Sequence, residues 1–219
     1  MYDFIVGMCL YSGIRDVTFQ SFERLRLGSN YKYKVEFENR GAPIGRERSV
    51  VASRFLKKNE SPYLIFIDGD ILFHPKDIQK LLEAMQQGYE IIAGGYLVSD
   101  MKNLAIRTWT PENKLDGLIH DAEYISTGFM GMTRHALESI RDGLKLPLLH
   151  EGQSKECWPF FESRRDLKNK FYLSEDWDIC LKAREVGLRT YFHSGILLPH
   201  MKEILLSPRN VTEEETNAA

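Results

Sequence analysis

Apolar runs and amphipathic stretches alternate along most of this 219-residue chain. Phe4-Ile-Val-Gly-Met-Cys-Leu10 is almost wholly apolar and predicts a buried strand. Helical spacing follows from Val17 to Leu27, strand-like alternation from Tyr33 to Phe37, and helical spacing again from Gly45 to Asn59. Tyr63-Leu-Ile-Phe-Ile67 is a short continuous apolar run, as expected for a central strand covered on both faces. Pro75 suits the first turn of a helix. The stripe Ile78, Leu81, Leu82, Met85 continues that helix, and Gly88 closes it. Further strands are expected at Glu90–Ala93 and Tyr124–Thr133, and a helix over Ser174–Val186. Strands alternating with helices predict an α/β layered domain.

Composition narrows the class. Hydrophobic residues make up 43% and aromatics 11%, which excludes intrinsic disorder of the whole chain. A formal net charge of −2 argues against a nucleic-acid partner. Cys9, Cys157 and Cys180 lie far apart, without the spacing of a disulfide framework or a structural zinc site. Reduced thiols in the cytoplasm are the expectation. No run approaches the roughly 20 apolar residues of a transmembrane segment, and Asp3 stands where a signal peptide would carry cations. Peripheral membrane contact is left open. Residues 143–172, rich in charge, proline and aromatics, read as an inserted loop, and 207–219 as a disordered tail. Between Arg15 and Glu60 eleven Lys/Arg face six Asp/Glu, which suits either a solvated face or a phosphate-binding half.

Three places carry candidate chemistry. Asp68-Gly69-Asp70 follows the run ending at Ile67, and both faces of a central strand are dry, so the carboxylates belong at its carboxyl end. Open α/β sheets place ligands there, and paired oxygens suit a hard divalent cation holding phosphates; a simple Asp-Gly turn is the bland account. Next, Ser174 is placed to cap a helix whose first turn holds Glu175, Asp176 and Asp178. Glu175, Asp178, Lys182 and Glu185 form one polar stripe, expected to face water. Asp176 instead leads the stripe Ile179, Cys180, Ala183, which points it toward the sheet. Finally, Arg48 leads the stripe Val51, Ala52, Phe55 near a helix N-terminus, placed for an anion, while Arg46, Glu47 and Arg54 are expected outside. His200 follows Gly195-Ile-Leu-Leu-Pro199 and alone would be an ordinary histidine.

Taken in order, these blocks resemble the GT-A fold glycosyltransferases, family 2 in particular. The resemblance rests on the Arg48 helix, Leu64-Ile-Phe-Ile-Asp-Gly-Asp-Ile-Leu-Phe-His-Pro75, Ser126-Thr-Gly-Phe-Met-Gly-Met-Thr-Arg134, the block from Leu173 to Gly187, and Pro199-His200. It implies a single Rossmann-like GT-A domain over 1–206, with a central, mostly parallel sheet flanked by helices. By the same resemblance Asp70 and His200 would hold Mn2+ or Mg2+, His200 as late metal or diphosphate ligand. Asp68, Arg48, Tyr11 and Gly95 would contact the nucleotide-sugar donor, a UDP- or GDP-sugar. Thr127, Gly128 and Glu175 would shape the acceptor side, and Asp176 would be the catalytic base of an inverting displacement. The acceptor would be a saccharide, a lipid-linked group or a protein. Residues 143–172 would form an acceptor-side lid, with Trp158, Phe160 and Phe161 either stacking on a sugar or forming a satellite apolar cluster. Cys9-Leu10 depart from the Pro-Thr that relatives commonly carry before the first-strand tyrosine. Two other readings compete: a non-catalytic sugar- or nucleotide-binding module, and a haloacid-dehalogenase-like phosphatase. The second wants Thr or Val where Leu72 stands.

Overall fold

The computed structural model describes residues 1–10, 13–39, 43–98, 102–109, 114–167 and 170–202. The tail expected over 207–219 lies outside them. Along the chain run β1 (Phe4–Leu10), α1 (Asp16–Gly28), β2 (Tyr33–Asn39), α2 (Ile44–Lys58), β3 (Tyr63–Ile67), α3 (Pro75–Gln86), β4 (Ile91–Gly95) and β5 (Ile106–Thr108). Then come β6 (Ile119–Ile125), β7 (Phe129–Thr133), α4 (Arg134–Gly143), β8 (Arg164–Asp166), β9 (Phe171–Leu173), α5 (Glu175–Glu185) and β10 (Thr190–Leu197).

Eight strands form one sheet in the order β2-β1-β3-β7-β4-β10-β6-β5. The pairings orient six strands alike and reverse only β7 and β6, a mostly parallel α/β sheet. Its central strands are buried on both faces, and alternation within them sorts side chains into two layers. Leu64 and Phe66 of β3 face Val51, Phe55 and Ile179. Ile65 and Ile67 face Leu25, Ile78 and Leu81. Helix α3 opens as its sequence suggests: Pro75 stands at its start, the His74 ring accepts from Lys76 N at 3.2 Å, and Asp77 returns a bond to His74 N at 2.8 Å.

Three expectations need correction. The strand expected over Tyr124–Thr133 is two strands, β6 and β7, separated in the sheet by β4 and β10. Apolar residues on both sides of Ser126-Thr-Gly128 hide the turn from periodicity. Asp178 and Lys182 do not face water; their side chains are 0% and 3% exposed. The segment after α4 covers them: the Lys182 ammonium donates to Pro159 O (2.6 Å), Phe160 O (3.3 Å) and Glu162 (2.7 Å), and lies 2.9 Å from Asp178. Burial pushes the Asp178 carboxyl up from its ordinary value despite Lys182 and Arg164. Of the two readings of Phe160 and Phe161, the apolar cluster holds: both are core residues, at 0% and 2% exposure. The Phe161 ring meets Phe66 edge-on at 5.3 Å, and Trp158 carries the Lys57 and Arg141 cations on its ring. Glu47 too is buried rather than solvated, held by Lys155 at 2.8 and 3.1 Å.

Candidate active site

Parallel neighbours β1 and β3 feed connections that leave in opposite directions. α1 carries the chain from β1 to β2 on one side in the sheet, and α3 carries it from β3 the other way, past β7, to β4. A crevice opens where such connections diverge, at the carboxyl ends of the strands. A cavity of about 300 Å³ lies there, lined by Cys9 and Leu10 at the end of β1, Gly13, Arg15, Ile44, Asp68-Gly69-Asp70 after β3, and Met201-Lys202. Gly69 is required by the packing. A Cβ on it would lie 2.7 Å from the Gly13 carbonyl oxygen, and its own carbonyl accepts from Arg15 N at 2.7 Å. Burial pushes the Cys9 thiol up to about 12, so it remains protonated and a poor nucleophile. Tyr11 lies outside the described residues.

Arg48 joins three walls of this crevice. From the second turn of α2 its guanidinium donates to Glu175 Oε1 at 2.5 Å and to both Asp68 oxygens at 3.1 and 3.4 Å. Burial disfavours its charge, but Asp68 and Glu175 outweigh that, so it stays protonated. Glu175 shows the opposite balance: burial pushes its carboxyl up against the pull of Arg48. Gly45 lets the two helix starts meet, since a Cβ there would lie 2.8 Å from Phe161 O and 2.9 Å from Glu175 Cβ. Arg48 therefore reaches the crevice with its terminal nitrogens already engaged by carboxylates.

Asp70 and His200 meet because residues 199–201 lie antiparallel beside 70–72. Met201 N donates to Asp70 O at 2.9 Å and Leu72 N to Pro199 O at 3.0 Å. His200 Nε2 then stands 2.9 Å from Asp70 Oδ2, and Nδ1 stands 3.0 Å from Leu97 O. A carbonyl only accepts, so Nδ1 bears a proton; Nε2 stands between an acceptor, Asp70 Oδ2, and a donor, the Lys202 ammonium at 2.9 Å, and serves one of them at a time. With Nε2 unprotonated, imidazole nitrogen and carboxylate oxygen would both offer lone pairs to a cation. Among the described residues no group of three or more His, Cys, Asp or Glu comes together as a metal site. Asp70 and His200 are a pair.

Asp176 occupies the first turn of α5, half-buried, with Oδ1 accepting from Trp177 N at 3.0 Å and from the Ser174 hydroxyl. Ser174 thus serves Asp176 rather than capping the helix, as its position alone suggests. Asp176 directly follows Glu175, the carboxylate that Arg48 holds. The Trp177 indole stacks on Tyr124 at 4.4 Å and 9°, fixing the start of α5 against β6. Thr127 is fully buried, its hydroxyl without a hydrogen-bond partner among the described residues. The Gly128 carbonyl accepts from Asp68 N at 2.9 Å.

Gly94 and Gly95 end β4, and their small size is accounted for by β10. Added Cβ atoms would lie 2.5 Å from Ile196 and 3.0 Å from Phe192. Sequence reasoning missed Tyr96, which follows them directly. Its ring meets His200 edge-on at 4.9 Å, and a Cβ on Gly128 would strike its hydroxyl at 2.5 Å. Burial first, then Asp68, pushes the phenol above its ordinary value. The signal was available in an aromatic standing at the end of a buried strand. Arg15 and Lys202 were missed as well, because nothing in their local sequence sets them apart from surface cations.

Comparison with known proteins adds three findings. The sequence model for glycosyl transferase family 2 matches residues 28–140. The structure described as A197 from STIV superimposes with a TM-score of 0.62 at 16% identity, covering 91% of this chain and 86% of that one. The structure of GalNAc-T7 with UDP, GalNAc and Mn2+ gives a TM-score of 0.52 at 10% identity; the match covers 93% of this chain and 44% of that longer one. At such identities the likeness is one of fold. No curated protein matches the sequence.

Proposed function

The chain belongs to glycosyl transferase family 2 and has the GT-A fold, and from that premise we propose that it moves a sugar from a UDP- or GDP-sugar to an acceptor hydroxyl with inversion and with help from a divalent cation. What supports this reading is that Asp68 and Asp70 line one crevice, with His200 2.9 Å from Asp70, and that Arg48 ties Asp68 to Glu175, the neighbour of Asp176. Asp70 and His200 would hold Mn2+ or Mg2+, and the residues present fit it. The Asp70 carboxylate and His200 Nε2 lie 2.9 Å apart, and the other ring nitrogen of His200 is fixed by a backbone carbonyl, the outer contact that ligating histidines characteristically make. Two protein ligands are what a cation shared with substrate phosphates needs. Once bound, such an ion neutralises charge developing on the diphosphate leaving group.

The protein's own residues supply the remainder. Asp68, oriented by Arg48 and by its N–H bond to the Gly128 carbonyl, receives the donor ribose, and the family resemblance assigns the base to Tyr11. Asp176 takes the proton of the acceptor hydroxyl as that oxygen attacks the anomeric carbon; the bond to the diphosphate oxygen breaks on the opposite face, and the centre inverts. General-base help of this kind is typically worth about 10²–10⁴-fold. Thr127, Gly128 and Glu175 border the acceptor, with Glu175 contributing through its hold on Arg48. Segment 143–172 flanks the acceptor side, and the acceptor is a saccharide, a lipid-linked group or a protein.

The test is a panel of UDP- and GDP-sugars with and without Mn2+, read as nucleoside diphosphate release, on the unaltered chain and Asp176→Asn. The expected result is Mn2+-dependent release by one donor, with the variant retaining diphosphate binding but losing transfer about 10²–10⁴-fold. Transfer retained by Asp176→Asn removes that residue from the mechanism. Donor binding without turnover for any acceptor identifies a binding module instead.

A further inference from the structure

The Lys202 ammonium lies 2.9 Å from the same His200 nitrogen that faces Asp70 Oδ2 at 2.9 Å. It also lines the 300 Å³ cavity beside Asp68-Gly69-Asp70. An ammonium beside Nε2 competes with a divalent cation for that nitrogen, and the Lys202 side chain lines the space beside Asp68 and Asp70. We propose that Lys202 is a built-in competitor for His200 that releases the Asp70–His200 pair to the metal only when a diphosphate arrives to take the ammonium. This deepens the glycosyltransferase reading and rests on it.

Charge arithmetic at the crevice supports the coupling. The single positive charge of Arg48 is shared between Asp68 and Glu175, and Asp70 is the other carboxylate lining the cavity. A divalent ion entering alone must displace a like-charged ammonium from His200 and leave it exposed to repulsion at close range. A diphosphate relieves both costs, because it gives the ammonium a charge-assisted partner and the ion further oxygen ligands. Metal and nucleotide then bind with positive coupling, each raising the affinity of the other by the same factor. No covalent step is involved, and the exposed position of Lys202 means its truncation leaves the core intact.

Calorimetric titration of the full chain and of Lys202→Ala separates the alternatives, using Mn2+ alone, UDP and GDP alone, and each nucleotide with Mn2+ present. Removing the ammonium should tighten Mn2+ binding in the absence of nucleotide on the order of tenfold, the scale of one hydrogen bond to a charged group. It should weaken the nucleoside diphosphate in the presence of Mn2+ by about tenfold or more, since a charge-assisted phosphate contact is lost. Lys202→Arg, which keeps the cation, should retain most of the nucleotide affinity. Unchanged or weaker Mn2+ binding by Lys202→Ala overturns the proposal, as does unchanged nucleotide affinity. Failure of the unaltered chain to bind either nucleotide with Mn2+ overturns the glycosyltransferase reading itself.

Discussion

Replacing Arg48 with methionine should be among the most damaging single changes at the crevice. Methionine keeps much of the aliphatic length, so the loss is of charge. The guanidinium side chain is 5% exposed and contacts Glu175 and Asp68, whose side chains are 15% and 29% exposed. Removing one partner of a buried ion pair costs about 3–5 kcal/mol, because the remaining charge has no compensation. At about 2–4 °C per kcal/mol for a chain of this size, Tm should fall by roughly 6–20 °C. Part of that loss should be recoverable. Arg48→Met combined with Glu175→Gln and Asp68→Asn removes every charge of the trio, and neutral replacement of a buried ion group is often near neutral in stability. The deficit of Arg48→Met should also shrink in acid. Glu175 loses its pull from Arg48, so its already raised folded pKa rises further above the unfolded 4.5. Protonation then favours the folded state, and stability lost at neutral pH returns as pH falls toward 4.5. Thermal melts and urea titrations from pH 4.5 to 8 measure all three effects. A Tm loss under about 3 °C, or a triple variant as unstable as the single one, would refute the claim that buried charge is what Arg48 satisfies.

Other outcomes follow from the same geometry. Asp70→Ala should abolish the Mn2+-dependent part of thermal stabilisation by UDP or GDP; at a hundredfold excess over Kd that stabilisation is about 2.7 kcal/mol, roughly 5–11 °C, in the unaltered chain. A shift that survives the substitution, and EDTA, would move the cation elsewhere. Gly45→Ala should cost about 1–3 kcal/mol, since its Cβ lands within 2.9 Å of Phe161 O and Glu175 Cβ; an unchanged urea midpoint would mean that α2 and α5 part without penalty. For Glu175→Gln, the Tm difference from the unaltered chain should become more favourable to the variant as pH rises above 4.5. The native carboxyl has a raised folded pKa, and stability tied to its proton is lost on that side. A flat difference across that window would show that Glu175 titrates normally.

Much of the sheet was legible because both-face burial leaves a mark that needs no context. β1 and β3 stand out as continuous apolar runs, and the carboxylates of Asp68-Gly69-Asp70 could only follow such a strand. α3 likewise announces itself through Pro75, its apolar stripe and Gly88. Where burial comes from a distant segment, local pattern misleads. Asp178 and Lys182 have the spacing of a solvated i,i+4 pair, yet the backbone carbonyls of Pro159 and Phe160 close over the ammonium. The Arg48–Glu175 contact joins positions 127 apart, so periodicity can state that Arg48 leads a buried stripe but not what satisfies it. His200 had no local signal. It acquires meaning only through the pairing of 199–201 with 70–72, and through the Leu97 carbonyl that accepts from its Nδ1.

The placement of charge assigns different work to cations that look alike in sequence. Arg48 was read as an anion ligand at a helix start, but its terminal nitrogens are committed to two carboxylates from different elements. What it does in the structure is hold Asp68 in place and tie α5 to α2. The cations that line the cavity are Arg15, in the loop that leaves β1, and Lys202, just beyond β10. In the proposed function, recognition of a diphosphate would fall on connecting segments, while the strands and helix starts fix the carboxylates. Loops positioned by a rigid scaffold are where binding groups can adjust to the ligand. On this division, substitutions at Arg48 should lower stability and nucleotide affinity together. Substitutions at Lys202 should change affinity for nucleotide and cation in opposite directions at constant Tm.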